Sequence, residues 1–307
     1  MSWTFERVAG PYQGAIGGLA WDGRGMLFSA IEDGSIRRFD PGSGETIVVR
    51  RYANRTNGIA FAPDDTLYGC QEGGRRVIQF LGDGSAVPTA TRLDGRIHNH
   101  PCDLTIDRRG RIWFSDPHHP VPAYGPQIFP PLDHASVLRL ERDQSHVWII
   151  RRITHDTAAP RAVLLSADER TLYVAEGDTA RDGPRELRAY PLSTDDTVGN
   201  HVVLLTFGSD HRGPHRGIEG MCLDDEGNIV ACGGGRSSGP GPLVIVVSPS
   251  GAILESHPLP VDMPTRCAFG DANLESLYVS TGQGDVYRAV ATGRRGLRRW
   301  RPPNPAS

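Results

Sequence analysis

Apolar residues in this chain come in short runs, each closed by a turn of Asp, Gly, Pro or Arg, and the runs recur in pairs. Six stretches align: "GGLAWDGRGMLFSA" from Gly17, "NGIAFAPDDTLYGC" from Asn57, "CDLTIDRRGRIWFSD" from Cys102, "RAVLLSADERTLYVAE" from Arg161, "EGMCLDDEGNIVACG" from Glu219 and "TRCAFGDANLESLYVST" from Thr265. In each, an apolar run, a polar turn and a second run rich in β-branched and aromatic residues read as two strands of a hairpin. A third run follows every pair: "SIRRFD", "RVIQFL", "SVLRLER", "ELRAYPL", "LVIVVSP" and "DVYRAV". A fourth, such as "ETIVVRR", "HVWIIRR" or "HVVLLTF", is found in five units. The last unit lacks one, and the N-terminal "WTFERVA" is expected to supply it and close a ring. No stretch has the amphipathic period of a helix. Four strands in each of six units predict an all-β, six-bladed β-propeller of four-stranded antiparallel blades around a central channel, spanning residues 1–293. The Arg- and Pro-rich residues 294–307 are expected to form a solvated tail.

This architecture carries a rule about position. The innermost strands of a propeller run in one direction along the channel, so the residues that begin them meet at one mouth. These are Gly17, Asn57, Cys102, Arg161, Glu219 and Thr265, followed by Gly18, Gly58, Asp103, Ala162, Gly220 and Arg266.

Composition narrows the chemistry. The net charge is -3, from 33 basic and 36 acidic residues, which gives no general attraction to nucleic acid or anionic membrane. All the basic residues are arginines, the usage of a GC-rich bacterial genome. The absence of lysine excludes Schiff-base mechanisms that need a lysine amine. The 5 cysteines show no CxxC spacing, and an odd count argues against a disulfide framework. No signal peptide or apolar run of membrane-spanning length is evident. The expectation is a cytoplasmic protein acting on a small molecule.

Several segments, in order, resemble the SMP-30/gluconolactonase/luciferin-regenerating-enzyme family across roughly residues 14–290. "NGIAFAPDDTLYGCQEGGRRVIQFLGDG" resembles that family's second blade. "NHPCDLTIDRRGRIWFSDP", "APRAVLLSADERTLYVAE" and "GIEGMCLDDEGNIVAC" are similar to its later blades. The resemblance implies lactonases or related esterases and phosphotriesterases that use a divalent cation, often calcium, at the channel mouth. The four metal-ligand positions it implies are Gly17, Cys102, Arg161 and Glu219, where the family has Glu, Asn, Asn and Asp. The family's aspartate in the first blade's second strand is here Ala30. Calcium takes six to eight oxygens, and this ring offers Glu219, Asn57 and Asp103. A guanidinium at position 161 would repel a cation and pair with Glu219.

The expected site is therefore metal-free, with Arg161 in place of the metal. Glu219 is the candidate general acid/base, and Arg161 would stabilise a developing oxyanion. Cys102 reads as a packed stand-in for asparagine. Its alternatives are a nucleophile with His100 as base, or a zinc ligand with His100 and Glu219. Asn57, Asp103, His118, His119, His215 and Arg266 are candidate substrate-binding residues. The Pro-rich stretch from 117 to His134 would lie over the mouth as a lid. The expected reaction is opening or closing of a lactone or similar ester. Two alternatives stand beside it. One is metal-free lyase, isomerase or cyclase chemistry in specialised metabolism, as in the related strictosidine-synthase propellers. The other is a non-catalytic ligand-binding propeller.

Overall fold

The computed structural model describes residues 2–118, 130–177, 183–194 and 197–299. It contains six four-stranded antiparallel sheets, and they form the expected six-bladed propeller. The innermost strands are Ile16–Trp21, Thr56–Phe61, Leu104–Ile106, Pro160–Leu165, Ile218–Leu223 and Pro264–Gly270. The sixth blade takes its outer strand from the N-terminus. Glu6–Ala9 pairs with Val286–Ala289, so the two ends of the chain close the ring as the repeat count required. No helix long and apolar enough to cross a membrane occurs among the described residues.

Alternation along the strands puts one face of each blade against the next. In the fifth blade Val244 and Val246 pack with Leu277 and Val279 of the sixth, all fully buried. Ala231 and Ile229 face the other way, toward Tyr173 and Leu187 of the fourth. The core is thus a set of apolar layers between blades, and the channel walls are left free to carry polar groups.

Two backbone features build the mouth. The pairing of inner and second strands slips between Ile16 and Leu19, Thr56 and Ile59, Pro160 and Ala162, Ile218 and Gly220, and Pro264 and Arg266. These irregularities coincide with the ring positions. A bulge leaves its extra residue unpaired and re-aims its side chain, which is how Arg161, Glu219 and Thr265 leave the pleat and face the axis. Close approach of the inner strands is the second feature. A Cβ on Gly18 would lie 2.3 Å from the Ile59 nitrogen, and one on Gly220 would lie 2.5 Å from the Arg266 Cα. Neither position tolerates a side chain without moving a neighbouring blade.

The far end of the channel corrects the tail expectation. Residues 294–299 dock on the protein instead of entering solvent. Asp224 and Gly296 form a bridge, and the Leu297 amide donates to the Leu223 carbonyl at 3.0 Å. Arg294 pairs with Asp224 and Glu255, each at 2.5 Å. Asp224 is completely buried, so its charge requires a partner, and the arginine run supplies it. Leu297, Arg298 and Arg299 close one end of a channel cavity of about 270 Å³.

Candidate functional site

The six ring residues lie at the other end. Asn57 Nδ2 is 3.7 Å from Cys102 Sγ, and Arg161 Nε is 3.6 Å from Glu219 Oε2. Serine hydroxyls on the second strands hold the ring together from behind. Ser29 donates to the Asn57 carbonyl at 2.7 Å, Ser115 to the Arg161 carbonyl at 3.1 Å and Ser280 to the Gly17 carbonyl at 2.9 Å. Thr265 donates to the Ile16 carbonyl at 2.7 Å. Each bond crosses from one blade to the next, which fixes the bulged residues against the channel.

Glu219 sits between two arginines. Arg161 faces one carboxylate oxygen, and Arg216 Nε is 3.3 Å from the other. Arg216 is itself anchored on the Gly234 and Pro264 carbonyls at 3.1 and 3.2 Å. Among the described residues, one carboxylate and two guanidiniums meet in this cluster. Arg161 remains partly open, with 26% of its side chain exposed against 14% for Glu219. A substrate oxygen can therefore reach it.

Below the ring, Arg266 forms a floor. It is 6% exposed. Its guanidinium donates to the carbonyls of Thr265 and Glu219 and to the carbonyl and sulfur of Cys102. Its Nε lies 3.1 Å from Asp103 Oδ1. Asp103 also accepts the Val163 amide at 3.1 Å. Burial opposes the charge on Arg266, but Asp103 and Cys102 more than offset it and raise its pKa above the ordinary value. Arg266 and Asp103, expected as substrate contacts, are thus turned toward each other within the protein.

Cys102 meets two donors, the Asn57 amide and the Arg266 guanidinium. Neither can accept its proton. Burial pushes the thiol pKa up, against the pull of Arg266 and Arg161. His100, its candidate base, has a carboxylate neighbour. Its ring faces Glu72, with Nδ1 3.9 Å from Oε2, and its amide donates to Asp116 at 2.8 Å. Glu72 shares Arg55 with Glu32, at 2.5 Å on each side. Asp116 is fully buried and accepts the amides of Asn99 and His100. Burial raises its pKa to about 7 despite those bonds. This carboxyl pins the backbone of the "HNHP" segment.

The other candidates are spread more widely. His118 follows the strand Ile112–Asp116 at the mouth end, while His119 and most of the expected lid lie outside the described residues. His215 is 3.6 Å from Asp210 and lines a cavity between the fourth and fifth blades. Arg212 pairs with Asp210 at 2.8 Å. The Glu32–Arg55–Glu72 chain was not singled out from the sequence. Its signal was present: each residue stands just after a second strand or just before an inner one, where side chains project from the mouth.

The metal positions implied by the resemblance can now be tested against geometry. Glu219 is the one carboxylate among them, and a guanidinium faces each of its oxygens. Arg161 itself occupies a ligand position, and Gly17 brings no side chain. Among the described residues no group of three or more His, Cys, Asp or Glu side chains could hold a metal ion. These residues do not fit a calcium ion, which draws on six to eight oxygens.

A six-bladed propeller with polar side chains converging at one channel mouth is a class of binding or catalytic protein, defined here by fold and site together. The chain belongs to the SMP-30/gluconolactonase/LRE-like family, whose profile matches residues 17–283. It is 23% identical to a gluconolactonase of Zymomonas mobilis, over 93% of this chain and 81% of that protein. Identity to the pentonolactonase XacC of Haloferax volcanii is 24%, over 87% and 81%. Among solved structures, a gluconolactonase from Xanthomonas campestris superposes with a TM-score of 0.76 at 25% identity, covering 94% of this chain and 89% of the other.

Proposed function

We propose that the protein is a lactonase-like hydrolase that opens a lactone or related ester without a metal ion. The observation that carries this reading is the placement of Glu219 between Arg161 and Arg216 at the channel mouth. Its relatives include a gluconolactonase and a pentonolactonase, which supports the reaction class. In the proposed reaction a water molecule attacks the lactone carbonyl while Glu219 accepts its proton. Negative charge moves onto the carbonyl oxygen, where the partly open Arg161 guanidinium stabilises it. The ring C–O bond then breaks, and the proton held by Glu219 passes to the departing alkoxide, giving a hydroxy acid. Arg216 keeps Glu219 aimed at the mouth, and Arg266 with Asp103 keeps the floor dry and rigid.

Hydrolysis of a panel of γ- and δ-lactones, followed by acid release with and without EDTA, tests this. The expected result is turnover that survives the chelator and falls about a hundredfold or more in Glu219→Gln. Absence of turnover across the panel, or its loss with EDTA and return with a divalent ion, overturns the proposal.

A further inference from the structure

A second cavity lies between the fourth and fifth blades, with Arg216 and Ile218 in its wall. It has a volume of about 360 Å³, within the span of about 300–1,000 Å³ usual for small-molecule sites. Its walls are apolar. Leu205 and Phe207 come from the outer strand of the fourth blade, Leu243 and Ile245 from the third strand of the fifth, and Ile218 from the inner strand. The third strand explains the opening. Val244 and Val246 point to the sixth blade and are fully buried, whereas Leu243 and Ile245 alternate onto the opposite face and are only partly covered. Gly217 helps to keep the space, since a Cβ there would come within 3.4 Å of the Phe207 ring.

The cavity is tied to the candidate site by Arg216, which lines it and also places Nε 3.3 Å from Glu219 Oε1. His215 stands beside Arg216 in the same wall. An apolar cleft with two basic groups on one side suits a molecule with an alkyl or aryl arm and an oxygen-rich head. A polyhydroxylated arm would lose its water contacts against these walls without replacement. We infer that the cavity between the fourth and fifth blades is a subsite for the apolar arm of an amphipathic lactone or ester, whose head lies at Arg161 and Glu219. The inference rests on the hydrolase reading for its substrate class, though the cavity can be tested without turnover.

The experiment uses the full chain, a series of γ-lactones with side chains from methyl to hexyl, glucono-δ-lactone, and the fluorescent probe 8-anilinonaphthalene-1-sulfonate. Leu243→Trp fills the cavity, and Ile245→Gln makes its wall polar with little change in volume. Thermal melts confirm that at least one variant is folded. The expected result is a rise in kcat/KM of about fourfold per added methylene until the cavity is full, abolished in either folded variant. Probe affinity should drop more than about tenfold in the same variants. Probe binding that is indifferent to both substitutions, or a flat chain-length series on a lactone that is turned over, overturns the subsite. Probe binding that is lost in the variants while no lactone is hydrolysed upholds the cavity as an apolar binding site and overturns the hydrolase reading instead.

Discussion

Arg266 Nη2 lies 3.2 Å from Cys102 Sγ, although the two residues belong to opposite blades of the ring. The guanidinium reaches from the sixth blade to the third under the mouth. Gly220 makes room for it, because a Cβ there would sit 3.2 Å from the Arg266 Cδ as well as against its backbone. A cation on the axis separates the mouth from the lower channel. It also bears on Cys102, whose thiol accepts from this guanidinium while burial disfavours its ionisation.

The first prediction follows from that span. Arg266→Met removes the cation and leaves the Asp103 carboxylate, 8% exposed, without its charge partner. Breaking a buried pair on one side typically costs about 3–5 kcal/mol. Urea unfolding should show a loss of that size, and Arg266→Met combined with Asp103→Asn should recover part of it. A single variant as stable as the parent would mean that the pair does not hold the blades together.

The second concerns the division of labour at the mouth. Arg161→Lys keeps the charge but not the planar fork, so kcat should fall while the melting temperature stays close to that of the parent. Cys102→Ser should retain turnover within a few-fold, and in the parent protein Cys102 should react slowly with iodoacetamide, because burial disfavours the thiolate. A folded Cys102→Ser protein with turnover reduced more than about a hundredfold would return the nucleophile reading.

How far the sequence disclosed this arrangement can be judged from particular residues. The blade count, the ring of strand starts and the closing strand at Glu6–Ala9 were legible, because period-two patterning and turn residues recur with every blade. Arg161 and Glu219 were legible for the same reason: a residue's place in a repeat fixes its place on the axis. The partners of Arg266 and His100 were not. Arg266 crosses to the opposite blade, and the His100 amide is held by Asp116, 16 residues away in the chain. Such contacts depend on side-chain reach and on buried charge, which a repeat does not encode. The docking of residues 294–299 escaped for a related reason. An arginine run reads as solvated until a buried carboxylate such as Asp224 is known to face it.

The third prediction tests that docking. Among the described residues, Arg294→Ala leaves Asp224 with the amide and side-chain bonds of Asn228, at 2.7 and 2.9 Å. The expected cost is about 1–3 kcal/mol, read by urea unfolding. Arg298→Ala, which removes a hydrogen bond to the Ala272 carbonyl at 3.1 Å, should cost much less. Equal effects of the two substitutions would show that the run binds through general charge and not through the Asp224 pair.

The last prediction concerns acid. His98 is completely buried. Its Nε2 lies 3.2 Å from the Ala90 carbonyl and so carries the hydrogen, leaving Nδ1 with no hydrogen-bond partner among the described residues. Protonation would place an unpaired cation in the core beside Arg75, and burial lowers the pKa from 6.5 to about 4. In the unfolded chain the imidazole takes a proton below about 6.5, whereas the folded protein resists it until about 4. The unfolded state therefore binds more protons across that window, and stability contributed by neutral His98 is full above it and lost as pH falls through it. The size of the loss is about 3 kcal/mol. Asp116 works in the opposite sense: its raised pKa makes the folded state the better proton binder between about 4 and about 7, so its contribution grows on acidification. Comparing His98→Gln with the parent cancels the Asp116 slope. The variant should be less stable at pH 7, and the gap should narrow steadily toward pH 4.5. A gap independent of pH would show that His98 is protonated equally in both states.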